Sequence, residues 1–209
     1  MNLLTIDTAS NACSAALLSD TATFEEFEIA PRQHTELLIP MIDSVLTRAG
    51  VARSQLDAIA FVAGPGSFTG IRIATSVAQG MSLGLNIPVI SLSSLLVLAS
   101  SAKNALDTDE IFPCLDARRG QVYWAHYSFA DNYPEPKCII EDCLSPIEQM
   151  RLAMPEAAVA WGTGLDDSKD AAEHYPRAVD GLAIAKARFE NKQFDNPGEA
   201  QAVYFRRGV

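Results

Sequence analysis

Gly64-Pro65-Gly66-Ser67-Phe68-Thr69-Gly70 stands between a strand pattern and a helix pattern, and its reading decides the fold. Before it, Ala58-Ile59-Ala60-Phe61-Val62-Ala63 is an unbroken apolar run, as expected of a strand covered on both faces. Three glycines and a proline then end the strand sharply. Ser67 falls at a helix N-cap, where its hydroxyl can accept an orphan amide hydrogen. Beyond it, Ile71, Ala74, Ala78, Met81 and Leu85 recur at steps of three and four, one face of a helix. The adjoining face carries Gly70, Ile73, Val77, Gly80 and Gly84 and is nearly flat toward its C-terminal end. A glycine inside a helix destabilises it by about 0.5–1 kcal/mol relative to alanine. Two glycines four apart therefore suit a surface that another backbone approaches closely.

Outward from this element, Leu3–Asp7, Cys13–Leu18 and Thr23–Ile29 read as three strands, the first two joined by the polar turn Thr8-Ala9-Ser10-Asn11. Glu25, Glu26 and Glu28 suit an exposed edge. Thr35 opens a helix to Ala49, closed by Gly50 as a C′ residue. Its apolar stripe (Leu37, Leu38, Met41, Ile42, Val45, Leu46) is broader than one buried face requires, so part of it is expected to meet another chain. A short strand at Pro88–Ile90 and a helix marked by Leu92, Leu95, Leu96 and Ala99 follow. The charged stretch 103–110 is the candidate linker. The second half repeats the order more sparsely. Strands are expected at Ile111–Leu115, Gln121–Phe129 and Lys137–Ile140, then a helix at Pro146–Leu152 and a strand at Ala157–Trp161. The loop Gly162-Thr163-Gly164 leads to helices near Asp166–His174 and Asp180–Glu190. The expected architecture is α/β in two units, residues 1–105 and a smaller 106–209.

The chain has 209 residues, 48% hydrophobic and 20% charged, as in ordinary globular proteins. Its net charge of −10 argues against an independent grip on a phosphate backbone. The start has no basic n-region, and no apolar run approaches the ~20 residues that span a bilayer. Cys13, Cys114, Cys138 and Cys143 show no CxxC spacing, so a reduced cytoplasmic protein without membrane contact is expected. His34, His126 and His174 form no metal-binding pair, so neither a metal nor another cofactor is expected. Gly66-Ser67-Phe68-Thr69-Gly70 departs from a GxSxG nucleophile elbow by its spacing. Asp7, Thr8 and Ser10, with Gly64, Gly66 and Ser67 and the loop at 162–164, could embrace a nucleotide phosphate between two lobes. Alternatively, these glycines only make tight strand-to-helix turns.

The run Ala63-Gly64-Pro65-Gly66-Ser67-Phe68-Thr69-Gly70-Ile71-Arg72 resembles the TsaB family. So do Ile6-Asp7-Thr8-Ala9-Ser10 before it and His34-Thr35-Glu36-Leu37-Leu38-Ile39-Pro40 between. Members are dimerisation subunits of the bacterial complex that makes threonylcarbamoyladenosine in tRNA. The second half matches through Trp161-Gly162-Thr163-Gly164-Leu165 and the tail Ala202-Val203-Tyr204-Phe205-Arg206, where the family usually has proline at 202. The resemblance implies a two-lobed, actin-like (ASKHA) fold with ribonuclease-H-like lobes, the second reduced. It also implies a catalytic paralogue, TsaD, that holds a metal through an HxxxH motif. The matching region here, Val89–Leu96, contains no histidine. The expectation is a non-catalytic subunit that dimerises with TsaD, with the ATPase TsaE docking on the pair. It would reach tRNA only through the complex, and form homodimers when alone. The expected interface is Leu38, Met41, Ile42, Val45, Ile73, Val77, Gly80, Met81 and Gly84. The rival is an enzyme, a nucleotide-dependent phosphotransferase using Asp7 and the glycine loops.

Two measurements check the reading from charge and histidine spacing. Elemental analysis of the purified chain should find no stoichiometric zinc or iron; about one tightly held metal per chain would overturn the spacing argument. The isolated chain should bind tRNA weakly if at all, and salt-sensitive, submicromolar binding would contradict it.

Overall fold

A computed structural model describes residues 1–20, 22–130, 134–165 and 173–197. The chain opens with an antiparallel meander, β1 (Asn2–Asp7), β2 (Ala12–Ser19) and β3 (Ala22–Ile29). Helix α1 (His34–Ala49) follows, then β4 (Ala58–Gly64), α2 (Phe68–Leu85), β5 (Val89–Ser93) and α3 (Ser94–Ala105). The first sheet has the order β3-β2-β1-β4-β5, with β1, β4 and β5 parallel. The second half gives β6 (Glu110–Asp116), β7 (Gln121–Ser128), β8 (Lys137–Pro146), α4 (Ile147–Ala153) and β9 (Val159–Gly162). Among the described residues its sheet order, β8-β7-β6-β9, is that of the first sheet without a counterpart of β5. Helix α5 (Ala178–Glu190) returns to the first sheet, beside β1 and β2. This is the two-lobed ASKHA fold with a reduced second lobe.

Strand β4 is buried along its whole length because it lies inside the sheet with helices on both sides. Phe61 and Ile59 face an outer core with Leu4, Ile6 and Leu17 of the sheet and Leu38, Ile42 and Val45 of α1. Ala60 and Val62 face an inner core with Leu95 and Leu98 of α3 and Leu182 of α5. That inner core continues without a break into Ile111, Leu115 and Ala125 of the second sheet. A smaller cluster of Phe112, Trp124 and Met150 covers the far face of the second sheet. Each Leu, Ile or Phe so buried contributes roughly 1.5–3 kcal/mol, so the apolar layers outweigh any single polar contact below.

Several sequence expectations shift. Residues 103–105 form the last turn of α3, so only 106–109 connect it to β6. Strand β8 was expected to stop at Ile140 and instead runs to Pro146. Its acidic residues do not break it, because Glu141 is exposed and Asp142 is satisfied. The Asp142 carboxylate accepts from the Ser93 hydroxyl at 2.6 Å and from the Tyr127 hydroxyl at 3.1 Å. Of the helix expected at Asp166–His174, residues 166–172 lie outside the described residues, and Glu173 and His174 are not helical. The tail motif 202–206 also lies outside them.

Asp7 ends β1 fully buried. Its Oδ1 accepts the Ala9 amide at 2.7 Å, whereas Oδ2 has no hydrogen-bond partner. Burial pushes its pKa up from 3.8 to about 7, partly offset by the Ala9 and Thr8 amides. Between those two values the folded chain holds a proton that the unfolded chain has released. The stabilising contribution is thus complete below about pH 4, shrinks as pH rises, and is gone above about pH 7. Denaturant unfolding of wild type and Asp7→Asn isolates it, because other titrating groups cancel in the difference. From pH 5 to pH 8 the wild type should lose about 2–3 kcal/mol relative to the variant. An unchanged difference would mean that the carboxyl is already ionised in the fold.

Candidate functional site

The glycine loop is docked on the β1–β2 turn. The Ser67 amide donates to the Ala9 carbonyl at 2.7 Å, and the Thr8 hydroxyl donates to the Gly70 carbonyl at 2.6 Å. The Ser67 hydroxyl caps α2 by accepting the Gly70 amide at 3.3 Å. A Cβ at Gly66 would collide with the Ala9 carbonyl, and one at Gly70 with the Thr8 carbonyl. These two glycines therefore serve a close backbone approach. Ser10 is also engaged: its hydroxyl accepts the Ala12 amide at 3.1 Å, and its carbonyl accepts His34 Nε2 at 3.0 Å.

Asp7, Thr8, Ser10, Gly64, Gly66 and Ser67, the residues expected to face a nucleotide, all lie in this docked turn and loop. Asp7, Thr8 and Gly64 are buried, and the polar groups of Thr8, Ser10 and Ser67 already have protein partners. The second glycine loop is engaged in the same way. A Cβ at Gly162 would strike the Cys114 carbonyl, while the Thr163 amide donates to that carbonyl at 3.0 Å. The chain itself then crosses between the lobes. The His174 amide donates to the Gly162 carbonyl at 3.1 Å, and its ring stacks on Trp161 at 3.5 Å. The Ala178 amide donates to the hydroxyl of Ser14, the residue opposite Asp7 in the sheet, at 2.9 Å. Tyr175 and Pro176 between them are buried. The three histidines lie apart, with His34 on Ser10, His126 on Glu110 at 2.6 Å and His174 on Trp161. Among the described residues no cluster of three or more His, Cys, Asp or Glu could hold a metal.

The open feature lies on the outside. Helices α1 and α2 flank a groove of about 450 Å³. Its lining is Thr35, Leu38 and Ile39 from α1, and Phe68, Thr69, Arg72, Ile73, Ser76 and Val77 from α2. Ile39 is 43% exposed and Phe68 55%, and the Arg72 guanidinium lies 3.8 Å from the centre of the Phe68 ring. On the far side, α1 is tied to β3. There the Ser44 hydroxyl and the Arg48 guanidinium both reach Glu26 at 2.8 Å and hold its carboxyl below the usual range.

The expected interface residues divide accordingly. Met41, Ile42 and Val45 are buried against the chain's own β-sheet, which corrects their assignment to a partner, while Leu38 is buried there with one edge on the groove. The stripe is broad because α1 must cover both β2 and β3, and only Leu38 reaches the groove. Ile73 and Val77 are half-buried and line the groove, and Met81 is half-buried against the outer core. Gly80 and Gly84 are exposed, and a Cβ on either would meet no atom of the described residues within 4 Å. Sequence reasoning missed Thr35, Ile39, Phe68 and Arg72. The available signal was an apolar residue beside, not within, the buried stripe of each helix, Ile39 after Leu38 and Phe68 after the cap.

A family model described as TsaD, tRNA N6-adenosine threonylcarbamoyltransferase, matches residues 26–178. The tRNA threonylcarbamoyladenosine biosynthesis protein TsaB of Escherichia coli (strain K12) is 34% identical, over 100% of this chain and 96% of its own length. The crystal structure of an uncharacterised Pseudomonas aeruginosa protein with similarity to the peptidase YeaZ superimposes with a TM-score of 0.89 at 33% identity. It covers 98% of this chain and 99% of its own. A second structure, YeaZ from Pseudomonas aeruginosa, gives 0.86 at 33% identity over 97% of this chain and 100% of its own. The 34% identity over the whole chain and the shared architecture place the chain in the TsaB family of tRNA threonylcarbamoyladenosine biosynthesis proteins.

Proposed function

We propose that the chain is a non-catalytic subunit of tRNA threonylcarbamoyladenosine biosynthesis. It pairs with the transferase TsaD through α1 and α2 and so supports threonylcarbamoyl transfer to the adenosine beside the anticodon. TsaE docks on the pair, and tRNA is reached through the complex. The observation that carries this reading is the α1–α2 face. Ile39, Phe68 and Leu83 are 43%, 55% and 68% exposed on one side of the molecule, beside a groove floored by Ile73 and Val77. Apolar side chains gathered in this way are the usual mark of a protein contact. Helix α2 is flat beyond the groove, where Gly80 and Gly84 leave its backbone open to close approach. The same face, unpartnered, favours a homodimer.

A silent catalytic centre is supported by the chemistry of the buried groups. The Ser67 hydroxyl is a helix cap, and Asp7 is fully buried. The space a phosphotransferase would need between the glycine loops is crossed by residues 173–178. ATP turnover by the purified chain, with TsaD absent, separates the two readings. A rate that survives repurification and disappears in Asp7→Asn would restore the phosphotransferase.

Gly80→Leu tests the surface. Leucine is a better helix former by roughly 0.5–1 kcal/mol, and no atom of the described residues stands within 4 Å of a Cβ at Gly80. The monomer should keep its melting temperature or gain slightly. Overpacking between chains typically costs 1–3 kcal/mol, so pairing with TsaD or with a second copy should weaken about tenfold or more. A destabilised monomer that still captures TsaD undiminished would remove Gly80 from the interface.

A further inference from the structure

Between Arg72 and Lys103 the sequence contains no Asp, Glu, Lys, Arg or His. Strand β5 lies inside that stretch, and among the described residues it is an outermost strand of the first sheet. An outermost strand presents a row of amides and carbonyls that another strand can join, and such edges ordinarily carry charges of their own. The opposite edge does. Strand β3 carries Glu25, Glu26 and Glu28, and Arg48 of α1 donates to the Glu25 carbonyl at 3.0 Å. By contrast, Val89-Ile90-Ser91-Leu92-Ser93 has two β-branched residues, no charge and no proline, a composition that favours strand addition.

The missing charges arrive from far along the chain. The Asp195 amide donates to the Val89 carbonyl at 2.9 Å, and the Asp195 carboxylate accepts the Ser91 amide at 2.5 Å. Arg188 of α5 donates to the Ser91 carbonyl at 2.9 Å through Nη1, while its Nε is held by Glu135 at 2.9 Å. Both backbone groups of Ser91 are thus taken by side chains of opposite charge, and a side chain cannot extend a ladder as a strand does. We propose that Asp195 and Arg188 form an edge guard, which closes β5 against strand addition by a second copy of the chain. A second copy is the occupant the edge fits, because two uncharged β5 edges meet antiparallel about a two-fold axis without like charges opposed. None of these residues lines the α1–α2 groove, so the inference does not rest on the pairing proposed above.

The test follows self-association of the full-length chain by sedimentation velocity, with hydrogen exchange on the same samples. The variants are Asp195→Ala, Asp195→Asn and Arg188→Ala, each with and without Ser91→Pro. Proline removes the outward amide of Ser91. That amide is spent on Asp195, so no bond to β4 is lost, and proline is tolerated on an edge strand in this position. Asp195→Ala should tighten self-association at least about tenfold, and adding Ser91→Pro should return it to the wild-type value. Asparagine can still accept the Ser91 amide, so Asp195→Asn should fall between wild type and Asp195→Ala. In dilute Asp195→Ala the Ser91 amide should exchange faster than in wild type, then slow as concentration rises and the edges pair. Aggregation through unfolding would show neither the reversal by proline nor the slowing at one amide. Should Asp195→Ala fail to fold, Asp195→Asn and Arg188→Ala carry the same comparison. Guard variants that self-associate like wild type would overturn the proposal, and so would association that persists with Ser91→Pro.

Discussion

Three consecutive residues of the β1–β2 turn position both outer helices. The Thr8 hydroxyl holds the Gly70 carbonyl, the Ala9 carbonyl holds the Ser67 amide, and the Ser10 carbonyl holds His34 at the start of α1. The fit is tight enough that neither Gly66 nor Gly70 has room for a methyl group. A packed contact of this kind sets the relative placement of two helices better than their apolar faces alone, because apolar burial is non-directional. The groove between α1 and α2, and the orientation of the side chains that line it, follow from that turn.

The sequence signals that proved reliable were local. The apolar run of β4, the Ser67 cap and the C′ glycine of α1 each act within a few residues and need no knowledge of the rest of the chain. The signals that misled were those whose meaning depends on a distant partner. A loop that cradles phosphate and a loop that accepts another backbone both need glycines and accessible amides. Here the deciding neighbour of Gly70 is Thr8, separated by 62 positions. The α1 stripe was ambiguous for the same reason, since its breadth reflects the two strands beneath it. The length of β8 was hidden because Asp142 acquires its hydrogen-bond donors only once β5 and β7 are in place.

The two lobes share a strand order but not a function for their faces. On the first sheet, α1 and α2 cover one side while α3 and α5 cover the other. On the second, the short α4 contributes Met150 to the cover of the far face, and the near face joins the inner core. One apolar cluster therefore runs through both lobes, and residues 173–178 add a polar seam across their junction. Opening such a junction would expose Leu95, Leu98, Ile111 and Leu115 together, at roughly 1.5–3 kcal/mol for each side chain. That is comparable with the whole stability of a typical domain. A lobe junction built in this way resists the opening movement that would admit a ligand.

Resistance at the junction and openness at the α1–α2 face are two aspects of one arrangement. The glycine loop has a single set of backbone groups, and docking the β1 turn occupies the Ser67 amide and the Gly70 carbonyl. The same docking lays α2 flat on the sheet with Phe68, Arg72, Ile73 and Val77 along its outer side. Fold alone does not dictate which of these uses a chain adopts; the contacts of the loop do. Here the loop contributes shape to an outer surface instead of donors to an inner cleft, which is the division of labour expected of a subunit whose proposed task is to be bound.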